Sequence, residues 1–363
     1  MEQNIHIDDF ISGKIKIEKT DSYTYEKVRK NWDRLAKPLD SLGKFEDITA
    51  RIGAIHRDTA IDISKKAVAA MCADNGIVDE KVSQTGQEVT LAVAKAMAKR
   101  CSSVCKMAAA VGIDVFPIDI GIASDESVNG LINKKIRKGT CNFAKEPAMT
   151  TKEAKRALDT GIEIAIKLSS LGYRLICTGE MGIGNTTTSA AVIASLLKKP
   201  ADIIAGRGSG LGTEGFKRKL AVIENAIDKY DLYNAKPIEV IACVGGFDIA
   251  SLAGLIIGAA YCKIPIVLDG IISLAAALAA VKLIPVAGEY LIASHISREP
   301  AAELVLNELG LSPVIDADMA LGEGTGAVMM CVLIDTALTL YNKQLTFEDI
   351  NIDAYSRFDE EAK

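Results

Sequence analysis

The sequence predicts an α/β protein, with a mainly parallel sheet flanked by helices and a small helical domain assembled from the two ends of the chain. Three observations carry this expectation. From about residue 65, short β-branched apolar runs alternate with helical segments. The runs are continuously apolar rather than alternating, so both faces of each strand are buried, as in a parallel sheet under two helical layers. Residues 21–58 and those after Gly326 read as helices without strands.

In chain order, residues 21–58 form two helices joined by KPLDSLGKFED (37–47). Strands are expected at AVAAMCA (67–73), DVFPIDI (114–120), YRLICT (173–178), EVIACVG (239–245), PIVLD (265–269) and YLIAS (290–294). Helices are expected over 89–111, 151–171, 186–197, 214–229, 249–261 and 273–283. A long helix containing AVMMCVLIDTALTLY (327–341) and a polar tail close the chain. This divides the protein into a large Rossmann-like α/β catalytic domain, 61–327, and a small helical domain of 1–60 plus 328–363.

Composition narrows the function. Of 363 residues, 49% are hydrophobic and 25% charged, a balance that supports a full core and leaves no disordered stretch. A net charge of −5 argues against a nucleic-acid surface, which calls for a basic stripe. The eight cysteines form no C-x-x-C pair and read as buried, reduced thiols of a cytoplasmic protein. Cys101 and Cys105 can share a helix face, but two thiols without nearby histidines make a poor metal site. The N-terminus lacks the apolar core of a signal peptide. The apolar stretches 249–260 and 271–281 are too short to span a bilayer, so a soluble protein without membrane partners is expected.

In a parallel sheet, function gathers at the carboxyl ends of the strands. The expected strand ends carry DNG (74–76), DIGI (119–122), GEMGIGN (179–185), GGFD (245–248), DG (269–270) and SHIS (294–297), mostly acidic or glycine-rich. GEMGIGNTTTSAA (179–191) stands between a strand and a helix. A helix N-terminus offers free N–H groups and partial positive charge, and glycines let an anion approach. The stretch is neither G-x-x-x-x-G-K-[ST] nor G-x-G-x-x-G, which leaves a phosphate cradle with Glu180 at its lip or, equally on pattern alone, plain turn and N-cap chemistry. The missing dinucleotide fingerprint excludes a nucleotide-dependent oxidoreductase of the usual kind.

MALGEGTGAVMM (319–330) repeats this logic, with Glu323 between Gly322 and Gly324. Met319, Leu321, Met329 and Met330 surround it in sequence, so its carboxylate is expected to border an apolar pocket, where desolvation favours a general base. A helix cap is the other reading.

With these motifs in order, the chain resembles the nicotinate-nucleotide:dimethylbenzimidazole phosphoribosyltransferase family. The resemblance rests on GEMGIGNTTTSAA, GRGSGL (206–211), VGGFDIASLAGLIIGAA (244–260), LDGIISLAAALAA (268–280), SHISREP (294–300) and LGEGTGA (321–327). KPLDSLGKFE, CADNGIVDEKVS (72–83) and EPAM (146–149) extend it over nearly the whole chain. The resemblance implies transfer of 5-phosphoribose from nicotinate mononucleotide to a benzimidazole nitrogen, with inversion, for the cobalamin nucleotide loop. The pyridinium leaves without protonation, so neither a metal nor another cofactor is implied.

By family position, Glu323 takes the proton of the incoming base, and Glu180 orients the ribose or assists as a second carboxylate. Gly182, Gly184, Asn185, Thr186 and Thr187 hold the nucleotide, joined by Gly206, Gly208, Lys219 and Asp269. His295, beside two serines, is either a structural hydrogen-bonding centre or catalytic. Asn75, Thr85, Val93 and Leu321 line the base pocket by analogy. Asn75, Thr85 and Val93 depart from many relatives, so dimethylbenzimidazole, another benzimidazole, adenine and a phenol all stay open as acceptor. The resemblance implies a homodimer with sites near the interface, or pairing with a paralogue. A nucleotide binder without catalysis is the rival, against which the two glutamates argue.

Overall fold

The computed structural model describes residues 5–208 and 210–357, so Ser209 of the GRGSGL stretch and the outermost residues of the expected helical domain lie outside it. The chain opens with α1 (Ile7–Ile11), α2 (Ser22–Arg34) and α3 (Lys44–His56). There follow β1 (Lys66–Ala73), α4 (Glu88–Ala98), α5 (Ser103–Ala110), β2 (Asp114–Gly121), β3 (Ile132–Asn133) and α6 (Thr151–Ser170). Next come β4 (Leu175–Met181), α7 (Asn185–Leu197), α8 (Ala201–Ile204), α9 (Thr213–Lys229), α10 (Pro237–Val244) and α11 (Phe247–Tyr261). The last are β5 (Ile266–Leu268), α12 (Ile271–Leu283), β6 (Leu291–Ala293), α13 (Ala301–Glu308) and α14 (Thr325–Lys343).

The sheet has six parallel strands in the order β3-β2-β1-β4-β5-β6. The chain winds outward from β1 to β3 and then crosses back to β4, so the direction reverses between β1 and β4. A doubly wound sheet binds its ligand outside the strand ends at such a reversal. Strand β1 shows why its sequence is continuously apolar. Ala67, Ala69, Met71 and Ala73 enter one layer with α6, α7, α11 and α12, while Val68, Ala70 and Cys72 enter the other with α2 to α5 and α14. Helices α6 and α11 cross closely because a Cβ at Gly161 would lie 1.9 Å from the Ser251 carbonyl oxygen, and one at Gly254 would lie 2.0 Å from that of Leu158.

At the chain ends, α2 packs on α3, and α14 packs on α3, α5, β4 and β5. The Trp32 indole N–H donates to Thr49 Oγ1 at 2.8 Å, and Glu46 is buried between Lys37 and Arg29. Among the described residues, α14 is the one helix with the length and apolarity to cross a membrane; its buried face, including Ala327, Met330 and Ile334, belongs to the core.

Several local expectations are corrected. The EVIACVG segment is helix α10, not a strand: Pro237 opens it and the Glu239 carboxylate accepts the Lys236 N–H at 2.8 Å. A short apolar run is ambiguous between strand and buried helix, and here the first-turn signals decide. The helix expected over 89–111 is two, broken at Arg100 with φ of 60° and restarted where Ser102 caps α5. Strand β4 starts at Leu175 and runs through Glu180 to Met181, so Glu180 is a strand residue paired with Met71 rather than part of the loop. The two-residue β3 carried no pattern. The cysteines are all free, as expected, but only Cys72, Cys105, Cys177 and Cys331 are buried, and Cys101 is exposed.

Candidate active site

A cavity of about 230 Å³ lies outside the carboxyl ends of β4, β5 and β6, against the start of α7. It is built by the β4–α7 turn. Gly184 holds φ of 92° and starts α7, and a Cβ at Gly182 would lie 2.5 Å from the Ala73 carbonyl oxygen, so the turn is pressed against the end of β1. The turn thereby puts Glu180, Asn185 and Thr186 on the cavity wall. The Ile183 N–H donates to Thr90 Oγ1 at 3.1 Å, tying the turn to α4.

Buried acids crowd this end of the sheet. Asn185 Nδ2 donates to Glu180 Oε2 and also to Asp248 Oδ2, the latter at 3.2 Å. Burial, and then the nearby Asp248 charge, push the Glu180 carboxyl up to about 8. Burial likewise pushes Asp248 up to about 6 against the hydrogen bonds it receives. Such values make Glu180 a carboxylic acid at neutral pH.

Beside Thr186, behind the cavity wall, lies a fully buried lysine. Lys219 Nζ donates to Thr186 Oγ1 at 3.2 Å and to the Gly206 carbonyl at 3.0 Å. Burial lowers its ammonium to about 8, and Glu299 opposes that shift. The Glu299 Oε1 accepts the Gly208 N–H at 3.0 Å, and with Ser297 and Arg207 it completes the polar rim. A buried cation beside threonine, glycine N–H groups and a helix start is arranged to receive an anion.

The second glycine turn is filled from within. Asp269 Oδ1 accepts the N–H groups of Gly326 at 2.7 Å and Ala327 at 3.3 Å, and Oδ2 accepts that of Gly324 at 3.1 Å. Asp269 is thus the anion at the α14 N-terminus, and burial raises its carboxyl above the usual range while the neighbouring His295 opposes this. His295 Nδ1 lies 2.9 Å from Ser294 Oγ, and burial lowers its pKa. Glu323, with φ of 63°, turns its carboxylate to the start of α5, where Oε2 accepts the Val104 N–H at 3.0 Å. Its own N–H is hydrogen-bonded to the Glu180 carboxyl.

The cavity wall therefore collects Glu180, Gly182, Gly184, Asn185, Thr186, Gly208, Asp269 and Leu321 of the sequence-derived residues, and His295 as well. Lys219, Gly206 and Thr187 stand behind it, the last with its buried Oγ1 lacking a hydrogen-bond partner among the described residues. Asn75 is buried under the turn, with Nδ2 3.5 Å from the Ile183 carbonyl. Glu323, Thr85 and Val93 are not on the wall: Thr85 is exposed, and Val93 packs from α4 on the apolar layer. The sequence reading missed Asp248, Ser297 and Glu299. The GGFD turn before an apolar helix and the SREP stretch were the available signals. Among the described residues, no group of three or more His, Cys, Asp and Glu side chains is placed to hold a metal.

A doubly wound sheet with a lysine-backed anion cradle at its reversal is the architecture of an enzyme that handles phosphorylated nucleotides. A family model described as Phosphoribosyltransferase matches residues 17–352. A protein of Acetivibrio thermocellus named nicotinate-nucleotide–dimethylbenzimidazole phosphoribosyltransferase is 44% identical over 90% of this chain and 93% of its own. One of the same name from Clostridium acetobutylicum is 43% identical over 97% of this chain and 99% of its own. The crystal structure of CobT from Thermus thermophilus superposes with a TM-score of 0.87 at 36% identity, over 91% of this chain and 99% of that one. The chain belongs to the nicotinate-nucleotide–dimethylbenzimidazole phosphoribosyltransferase family.

Proposed function

We propose that the protein transfers 5-phosphoribose from nicotinate mononucleotide to a benzimidazole-type base, releasing nicotinate and forming the α-riboside 5'-phosphate for the cobalamin nucleotide loop. The observation that carries this reading is the cavity at the strand ends, with the α7 start held between buried Lys219, bonded to Thr186, and Glu180, bonded to Asn185. The donor phosphate sits against Thr186, Gly208 and Lys219, and its ribose faces Glu180 and Asn185. The bond from the ribose anomeric carbon to the pyridinium nitrogen breaks with its electron pair returning to nicotinate. One benzimidazole nitrogen then bonds to that carbon, and the proton on the other nitrogen passes to Glu323. For this step the Glu323 carboxylate exchanges its bond to the Val104 N–H for the base, which reaches it past Leu321. The buried carboxylate of Asp269 on the cavity wall favours the cationic centre that forms on the sugar.

The working form is a soluble, cytoplasmic homodimer in this reading. Met329, Val332 and Leu333 stay exposed along α14, next to the exposed Leu321 at the cavity rim, and a second copy would cover them. The small helical domain read over 1–60 plus 328–363 is supported, within the described residues, by the packing of α2 on α3 and of α3 on α14. The test is incubation with nicotinate mononucleotide and dimethylbenzimidazole, with released nicotinate measured by chromatography. Release with that base or another of a benzimidazole, adenine and phenol panel is expected; none with any of them sinks the reading.

A further inference from the structure

Asp248 has no place in the reaction just described, yet it is fully buried two residues into α11, beside the acid that faces the cavity. One side-chain amide, that of Asn185, reaches both Asp248 and Glu180. The space is walled by glycine: a Cβ at Gly182 would lie 2.6 Å from Asp248 Oδ2, and one at Gly246 would lie 2.2 Å from Oδ1. Among the described residues, neither carboxyl is in an ion pair with a lysine, arginine or histidine. Two buried acids bridged by one neutral amide cannot both ionise cheaply, and a single retained proton is the resolution.

The structure also says which acid keeps the proton. Asp248 receives the Ile249 N–H at 2.9 Å, the Asn185 amide and the Asn75 amide, and it sits in the first turn of α11, where the helix field favours an anion. Glu180 stands at the end of a strand and faces Asp269 of the β5 end, the Cys72 thiol of β1, the Asn185 amide of α7, the Glu323 N–H and Asp248 itself, with His295 beyond Asp269. We infer that Asp248 is a positioning residue that holds Glu180 in its acid form, so that the group facing the bound donor is a hydrogen-bond donor rather than a carboxylate. The pair then carries one negative charge and one proton. Glu180 donates to an oxygen acceptor of the ligand, such as a sugar hydroxyl oxygen, while the charge lies one layer behind it. The burial-driven rise of both carboxyls agrees with this order.

The inference rests on the proposed reaction only for the identity of the ligand. Its test needs no turnover: infrared spectroscopy of the whole protein with carbon-13-labelled glutamate, titrated against pH. The wild-type protein should show a carboxylic-acid carbonyl band at neutral pH that Glu180→Gln lacks. Asp248→Asn should keep the shape and move the band's midpoint down by at least about one pH unit, as removal of a neighbouring like charge does. If that variant does not fold, Asp248→Ser makes the same test. The pH profile of kcat/KM should move in the same direction, which a merely structural role for Asp248 would not produce. Absence of the band at neutral pH, or a midpoint unmoved by either Asp248 variant, overturns the inference even if nicotinate is still released. Failure of nicotinate release with the band intact overturns the reaction instead.

Discussion

The turn before α7 and the turn before α14 are spelled alike, each with a glutamate, flanking glycines, a threonine and small residues leading into an apolar helix. Their N-termini meet different fates. At α14, the carboxylate of Asp269 takes the N–H groups of Gly324, Gly326 and Ala327, so the helix start is satisfied by the protein itself. At α7, the first residues line the cavity and a buried ammonium stands behind them. The local spelling specifies a turn that exposes a helix start, and the neighbouring strand decides whether the protein or a ligand fills it. Asp269, at the end of β5, is what separates a structural site from a binding one.

The sharpest way to break this contrast is to remove the internal anion. Asp269→Ala strands buried N–H groups at α14, and a cost of about 3 kcal/mol in unfolding free energy is expected. Thr186→Ala at the other turn should cost less than about 1 kcal/mol. Urea denaturation of both variants checks this, and equal losses would mean that the two helix starts are alike after all. Lys219→Met attacks the other arm. It should weaken nicotinate mononucleotide binding about 10- to 100-fold, the value of a charge-assisted contact of about 1.5–3 kcal/mol, while leaving stability unchanged or higher because an uncompensated buried charge is gone. Calorimetry and denaturation on the same sample separate the two effects; a variant that loses stability but keeps affinity would make Lys219 structural.

How much of this was legible before folding depends on where the determining contacts lie. The strands at 67–73, 114–120 and 265–269 and the helices from Thr151, Asn185 and Thr213 follow from local runs bounded by turn residues, so their chemistry is written where they form. EVIACVG defeated the reading because an apolar run of that length suits either a strand or a buried helix, and Pro237 with the Glu239 bond to the Lys236 N–H starts it as a helix. Asp248 was hidden for another reason: its meaning comes from Asn185, which lies 63 residues away and reaches it only through packing. The direction of the Glu323 carboxylate was equally hidden, since α5 has to begin at Ser103 for its first N–H groups to be available, and the residues around Arg100 read as uninterrupted helix.

The glycines of the two turns sharpen the comparison at smaller amplitude. Gly184 and Gly324 hold φ of 92° and 102°, where any Cβ is strained by about 1–2 kcal/mol. At Gly184 the new atom would meet the Val78 Cγ2 at 2.7 Å, the end of a half-buried side chain on the short 76–80 turn after β1. At Gly324 it would lie 2.9 Å from Val68 Cγ1 and 3.0 Å from the Thr178 carbonyl oxygen, which belongs to a central strand. Gly324→Ala should therefore be the costlier by about 1 kcal/mol in urea denaturation. The reverse order would show that the α14 turn moves freely and is not held by Asp269.

The smallest expected effect is a proton. Lys219 is lowered to about 8 from an ordinary 10.5 by burial, so between those values the unfolded chain binds more protons than the folded one. Raising the pH through that window therefore favours folding as far as this group is concerned, and below about 8 the buried charge is present in full and opposes it. A phosphate dianion placed against the ammonium reverses the shift, because an opposite charge favours the protonated form. Binding of nicotinate mononucleotide near pH 8.5 should then take up a fraction of a proton per site, and binding near pH 6.5, where the lysine is already charged, should take up none through it. Calorimetry in buffers of different ionisation enthalpy reads the uptake directly. The share carried by the lysine should be lost in Lys219→Met, leaving only what Glu180 takes up, and should persist in Asp269→Asn, since only the α7 turn faces the phosphate. Uptake undiminished by the loss of Lys219 would place the phosphate elsewhere and remove the distinction between the two turns.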